Sequence, residues 1–100
     1  MDNFNLKQEI ITEIRTIAEK YDIQKIVLFG SRARGTNLPK SDIDLAIFCS
    51  PEFKKMGHLA CDIDDLDTLL KIDAVFINED TDKKLMQNID NEGVIIYERL

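Results

Sequence analysis

The chain has 100 residues, 44% of them hydrophobic and 32% charged, which fits one soluble globular domain over 1–100 and leaves no room for two. A domain of this size buries about two-thirds of the surface its unfolded chain exposes, enough for one core but not for a deep private substrate cleft. The net charge of −6 excludes a protein that grips nucleic acid mainly through its phosphates. No apolar run approaches the ~20 residues needed to span a bilayer. Met1-Asp2-Asn3-Phe4 lacks the basic and apolar regions of a secretory signal, so the expected location is the cytoplasm, without membrane association. Cys49 and Cys61 match no zinc spacing and are expected to be reduced, partly buried small hydrophobes.

In chain order, Leu6, Ile10, Ile11, Ile14, Ile17, Ala18 and Tyr21 form one apolar stripe at helical spacing. They predict a first helix over about 6–21. Asn5 and Gln8 stand at capping-box spacing. Ile26-Val27-Leu28-Phe29 is a continuous apolar run ending at Gly30, as expected of a buried strand. Residues 31–41 are polar and contain Gly35 and Pro39, which predicts one short helical turn after Ser31 and then a loop.

Asp42-Ile43-Asp44-Leu45-Ala46-Ile47-Phe48 begins with polar–apolar alternation and ends apolar, the pattern of a strand entering a core. Ser50-Pro51 carries a helix-start signal, although Gly57 sits awkwardly behind it. From Leu59, the residues Ala60, Ile63, Leu66, Leu69 and Leu70 keep helical spacing. A third strand is expected over Ile72–Ile77. A last helix capped by Asp80 or Thr81 should run to about Asn91 and stop at Gly93, before a fourth strand, Val94–Tyr97. Alternating elements imply an α/β (α+β) layer structure with about four strands. The link between the first two strands is short for a full crossover, so the sheet should be mixed rather than all parallel.

Gly30-Ser31, ten residues, and then Asp42-Ile43-Asp44 carry the chemistry. Side chains two apart on a strand share a face, so Asp42 and Asp44 converge while Ile43 and Leu45 point into the core. Paired carboxylates repel each other and favour bound cations. Hard divalent ions such as Mg²⁺ take oxygen ligands of this kind. Two such ions about 3.5–4 Å apart can clamp the attacking and leaving oxygens of a phosphoryl displacement. Glycine at a strand end lets a phosphate approach the backbone. Ser31 adds a hydroxyl, and the turn behind it exposes N–H groups to an anion. Arg32, Arg34 and Lys40 flank the same place and could contact a triphosphate tail. Asp62, Asp64, Asp65 and Asp67 spread around one helix as a solvated face, and His58 reads as a surface histidine.

Gly30-Ser31-Arg32-Ala33-Arg34-Gly35 followed by Ser41-Asp42-Ile43-Asp44-Leu45 resembles the signature of the polymerase-β-type nucleotidyltransferases. It is most similar to the minimal nucleotidyltransferases, single domains of about this length. The resemblance implies a polymerase-β-like fold, with Gly30 and Ser31 on the nucleotide's phosphates and Asp42 and Asp44 on two Mg²⁺ ions. It also implies a third carboxylate on a later strand. Asp73 fits, because it opens the strand Ile72–Ile77 among apolar neighbours, where an acid needs a partner or a metal. ATP is the implied substrate. Many minimal nucleotidyltransferases are antitoxins that transfer AMP to a tyrosine of a HEPN toxin, and this is the leading expectation for the acceptor. The alternatives are a catalytic subunit that adenylylates a small molecule such as an aminoglycoside, and an antitoxin that neutralises its toxin by binding alone.

Overall fold

The computed structural model describes residues 6–99, and its elements follow the expected order. Helix α1 (Gln8–Lys20) buries Ile10, Ile11, Ile14 and Ala18 along one stripe. Its N-cap is Lys7, which makes no side-chain capping bond, and the expected cap Asn5 lies outside the described residues. Strand β1 (Lys25–Phe29) leads into the single turn α2 (Ser31–Arg34). Strand β2 (Ile43–Phe48), helix α3 (Met56–Asp64), strand β3 (Ile72–Ile77), helix α4 (Lys83–Glu92) and strand β4 (Val94–Glu98) complete the chain.

The strands form one mixed sheet of order β3-β2-β1-β4. Strand β1 runs antiparallel to both β2 and β4, while β2 and β3 are parallel. Register pairs Phe29 with Asp44, Leu28 with Val94, and Asp44 with Asp73. The C-terminal end of β1 therefore lies at the same sheet edge as the N-terminal ends of the other strands.

Both faces of the sheet are covered. On one face Ile26, Leu28, Ile43, Leu45 and Ile47 pack with the buried residues of α1 and with Leu59 and Ile63 of α3. On the other, Val27 and Ala46 pack against Ile89 of α4, with Phe29, Phe48 and Ile77 around them. Period-two alternation assigns Asp44 and Asp73 to this second face, at the end nearest the last turn of α4.

Two expected elements are corrected. The helix starting near Ser50 and running through Leu70 is shorter, from Met56 to Asp64. Leu66 stays buried but follows the helix, and Leu69 is fully exposed. Helical spacing continues past Asp64 because the chain keeps touching the same core while it turns. Thr68 closes that turn, its Oγ1 accepting the Leu70 N–H at 3.1 Å. The cap of α4 is Asp82, whose Oδ2 accepts the Leu85 N–H at 3.0 Å, rather than Asp80 or Thr81. Thr81 Oγ1 is engaged one turn earlier, accepting the Asn78 N–H at 2.9 Å. Of the cysteines, Cys49 is half-buried, as expected of a small hydrophobe, but Cys61 is exposed; both are free thiols. No helix among the described residues is long and apolar enough to cross a membrane.

Gly93 joins α4 to β4 where the helix crosses the sheet. A Cβ there would collide with the Ile89 carbonyl oxygen and with Val27 Cγ1. Both are backbone or core atoms with little room to move. Gly93→Ala should therefore destabilise the fold by about 1–3 kcal/mol, the usual cost of overpacking, as read from urea denaturation. A change within about 0.5 kcal/mol, typical of a harmless surface substitution, would contradict this packing.

Candidate active site

Gly30 ends β1 with φ 78° and ψ −158°, in the positive-φ region where a side chain is strained. The carboxylate of Asp44 lies against its α-carbon, and a Cβ at position 30 would collide with Asp44 Oδ2. Glycine is required here by backbone conformation and by the close approach of the acid. Its carbonyl accepts the Ala33 and Arg34 N–H groups, each at 3.1 Å, which winds the single turn α2. Ser31 is the first residue of that turn and is half-buried.

Asp44 and Asp73 are register partners on neighbouring parallel strands and share a face. Asp42 stands just before β2, two residues ahead of Asp44. The Asp44 carboxyl is held above the usual carboxylate range, first by burial, then by the negative charges of Asp73 and Asp42, while Arg34 opposes the shift. The structure thus brings Gly30, Ser31, Asp42, Asp44 and Asp73 to one edge.

Asp73 is 44% exposed at its side chain and lies 3.6 Å from Lys71 Nζ. Among the described residues no three acids are gathered into a ready-made metal-binding group. The donors nevertheless suit a hard divalent cation: carboxylate oxygens on adjacent backbone positions, one of them already strained by like charge.

The flanking basic residues have different posts. Arg32 was expected to face phosphate, but its side chain is buried, with the residue only 5% exposed. Its Nε and Nη2 donate to the Ser41 carbonyl at 3.2 and 3.0 Å, and Nη2 also donates to that of Pro39 at 3.1 Å. Arg32 clamps the loop that delivers Asp42. A guanidinium can satisfy several carbonyls at once, and that outweighs leaving it in solvent. Arg34 is exposed and remains beside the acids, while Lys40 lies exposed in the loop.

Sequence reasoning missed Glu92. Its Oε2 accepts the Gly30 N–H at 2.7 Å and Arg34 Nη1 at 2.9 Å, from the last turn of α4. One signal was available: an acid in the last turn of a helix opposes the helix dipole and so calls for a partner.

Residues 12–100 match the family described as "Polymerase beta, Nucleotidyltransferase". A "Putative protein adenylyltransferase" of Methanocaldococcus jannaschii is 27% identical over 84 residues, covering 82% of this chain and 85% of its own. A chain in a crystal structure of a toxin–antitoxin with AMP-PNP superposes with a TM-score of 0.66 at 23% identity, over 89% of this chain and 73% of that one. A chain in the complex of tri-AMPylated Shewanella oneidensis HEPN toxin with MNT antitoxin gives 0.62 at 20% identity, over 94% and 74%. Likeness at these identities speaks for the fold.

The upward shift of Asp44 has a consequence for stability. An acid whose folded pKa lies above its unfolded value of about 3.9 costs stability once ionised. The cost is absent below the unfolded value and fully present above the folded one. In EDTA, Asp44→Asn should therefore raise Tm at pH 7, and the gain should vanish as pH falls below about 3.9. A variant less stable than wild type at pH 7 would show that the aspartate charge is held by favourable contacts instead.

Proposed function

The chain belongs to the polymerase β nucleotidyltransferase family, and we propose that it transfers AMP from ATP, with Mg²⁺, to a tyrosine hydroxyl of a HEPN-type toxin. The observation that carries this reading is the pairing of Asp44 with Asp73 on one face, beside the Gly30 end of β1. An acid pair next to a glycine turn suits a metal-bound triphosphate.

In the reaction, the acceptor hydroxyl oxygen bonds to the α-phosphorus, the bond from that phosphorus to the bridging oxygen breaks, and pyrophosphate leaves. Asp42 and Asp44 would hold two Mg²⁺ ions, and Asp73 would complete the ligand set. Bound Mg²⁺ would neutralise triphosphate charge and make the acceptor hydroxyl easier to ionise. Asp73, half-buried at the start of β3, accepts the acceptor's proton. Ser31 donates its hydroxyl to the β- and γ-phosphates, supported by the Gly30 turn. Arg34 offsets negative charge beside Asp44.

The acceptor reading draws on the relatives. One bears the name of a protein adenylyltransferase, and two fold neighbours come from toxin–antitoxin structures, one with an AMPylated HEPN toxin. A domain of this size is expected to bury too little surface for a deep private cleft, which favours a macromolecule that carries the hydroxyl to the sheet edge. Attack requires that hydroxyl within about 3–3.5 Å of the phosphorus, so docking precedes chemistry.

Incubation with a HEPN-type toxin, ATP and Mg²⁺, followed by intact mass spectrometry, should show one or more AMP additions to a toxin tyrosine. EDTA should abolish them, and so should Asp42→Asn and Asp44→Asn with the fold intact. Ser31→Ala should slow transfer by less, since one hydrogen bond to a charged phosphate is worth about 1.5–3 kcal/mol. A toxin silenced without any mass change would replace this reading with inhibition by binding alone. Adenylylation of small alcohols in place of the toxin would replace the acceptor.

A further inference from the structure

Glu92 is a fourth acid at the sheet edge, yet it differs from the three aspartates in what it touches. Its Oε2 accepts two donors at once, the Gly30 N–H at 2.7 Å and Arg34 Nη1 at 2.9 Å. The side chain is 21% exposed, so this contact is largely sheltered from water. The donors belong to the two ends of the α2 turn, because Gly30 is its N-cap and Arg34 its last residue. A single carboxylate oxygen thus fixes the start and the finish of the segment that carries Ser31.

We infer that Glu92 is a positioning residue: it locks the Gly30–Ser31 turn in the shape that receives the triphosphate and holds Arg34 beside Asp44. Three observations converge on this. Gly30 sits at a positive φ that glycine adopts as one of several choices, so something outside the turn must select it. The Glu92 carboxylate does so through the Gly30 N–H. Charge-assisted bonds of this kind are short and about twice as strong as neutral ones. Second, a four-residue helix has too few internal bonds to hold itself. Third, the acid stands in the last turn of α4, where the helix dipole disfavours it, and it adds negative charge next to Asp44. Two strong donors offset that cost. α4 is itself anchored in the second core by Ile89, three residues before Glu92, so the clamp is tied to a rigid element.

This inference rests on the nucleotide site proposed above but not on the identity of the acceptor. Its test is therefore nucleotide binding. Calorimetry with AMP-PNP and Mg²⁺ on wild type, Glu92→Gln and Glu92→Ala should show affinity falling in that order. Loss of both charge-assisted bonds should weaken binding at least about tenfold in Glu92→Ala, with Glu92→Gln retaining part of it. Arg34→Ala in the Glu92→Ala background should cost less than it does alone, since Arg34 is already unfixed. Thermal denaturation in EDTA separates this from a purely structural role, which would lower Tm and leave the affinity of the folded fraction unchanged. Unchanged affinity in Glu92→Ala overturns the inference. Tighter binding also overturns it, because Glu92 would then be competing with phosphate for the same donors. Failure of wild type itself to bind overturns the site reading and this inference together.

Discussion

The antiparallel setting of β1 against its neighbours is the constraint on which the site depends. It brings the C-terminal end of β1 to the edge where β2, β3 and β4 begin. Residues far apart in the chain meet there as a result: Gly30, Asp44, Asp73 and Glu92. The core is what makes this arrangement rigid. Ile43, Leu45 and Ile47 are sealed against α1 and α3, so the alternate residues of β2 have no choice of face. A slip of one residue in register would place Asp44 in the core and Ile43 at the edge.

The same edge concentrates electrostatic cost. Asp44 is partly desolvated, faces Asp42 and Asp73, and also feels Glu92. Positive charges relieve this only in part: Lys71 lies near Asp73, and Arg34, paired with Glu92, opposes the upward shift of Asp44. A fold optimised for stability alone would not group acids in this way. Stability given up by grouping these acids is the usual mark of a functional site.

How much could be read from the residues follows from the range of the interactions. Strand β3 was legible to the residue, because Ile72 and Ala74–Ile77 are apolar, broken only by Asp73, and polar Lys71 and Asn78 stand at the two ends. The face of Asp44 was legible because alternation on a strand is local, whereas Asp42 stands just ahead of β2. Arg32 was misread as facing phosphate: its role depends on the Pro39 and Ser41 carbonyls, whose position is set by the loop's path. The tail of α3 was misread because Leu66 goes on touching the core after the helix has ended. Glu92 was missed because its partner Gly30 is 62 residues away, and only its unfavourable place at a helix end hinted at one.

We propose that a divalent cation and a nucleotide meet at this edge. Amide resonances in the presence of AMP-PNP and trace Mn²⁺ test it directly, since a paramagnetic ion broadens only nearby nuclei. Signal should be lost selectively around Gly30–Ser31, Asp42–Leu45 and Asp73–Ala74, with Asp62–Asp67 of the α3 region unaffected. Broadening centred on Asp62–Asp67, or no localised broadening at all, would contradict it.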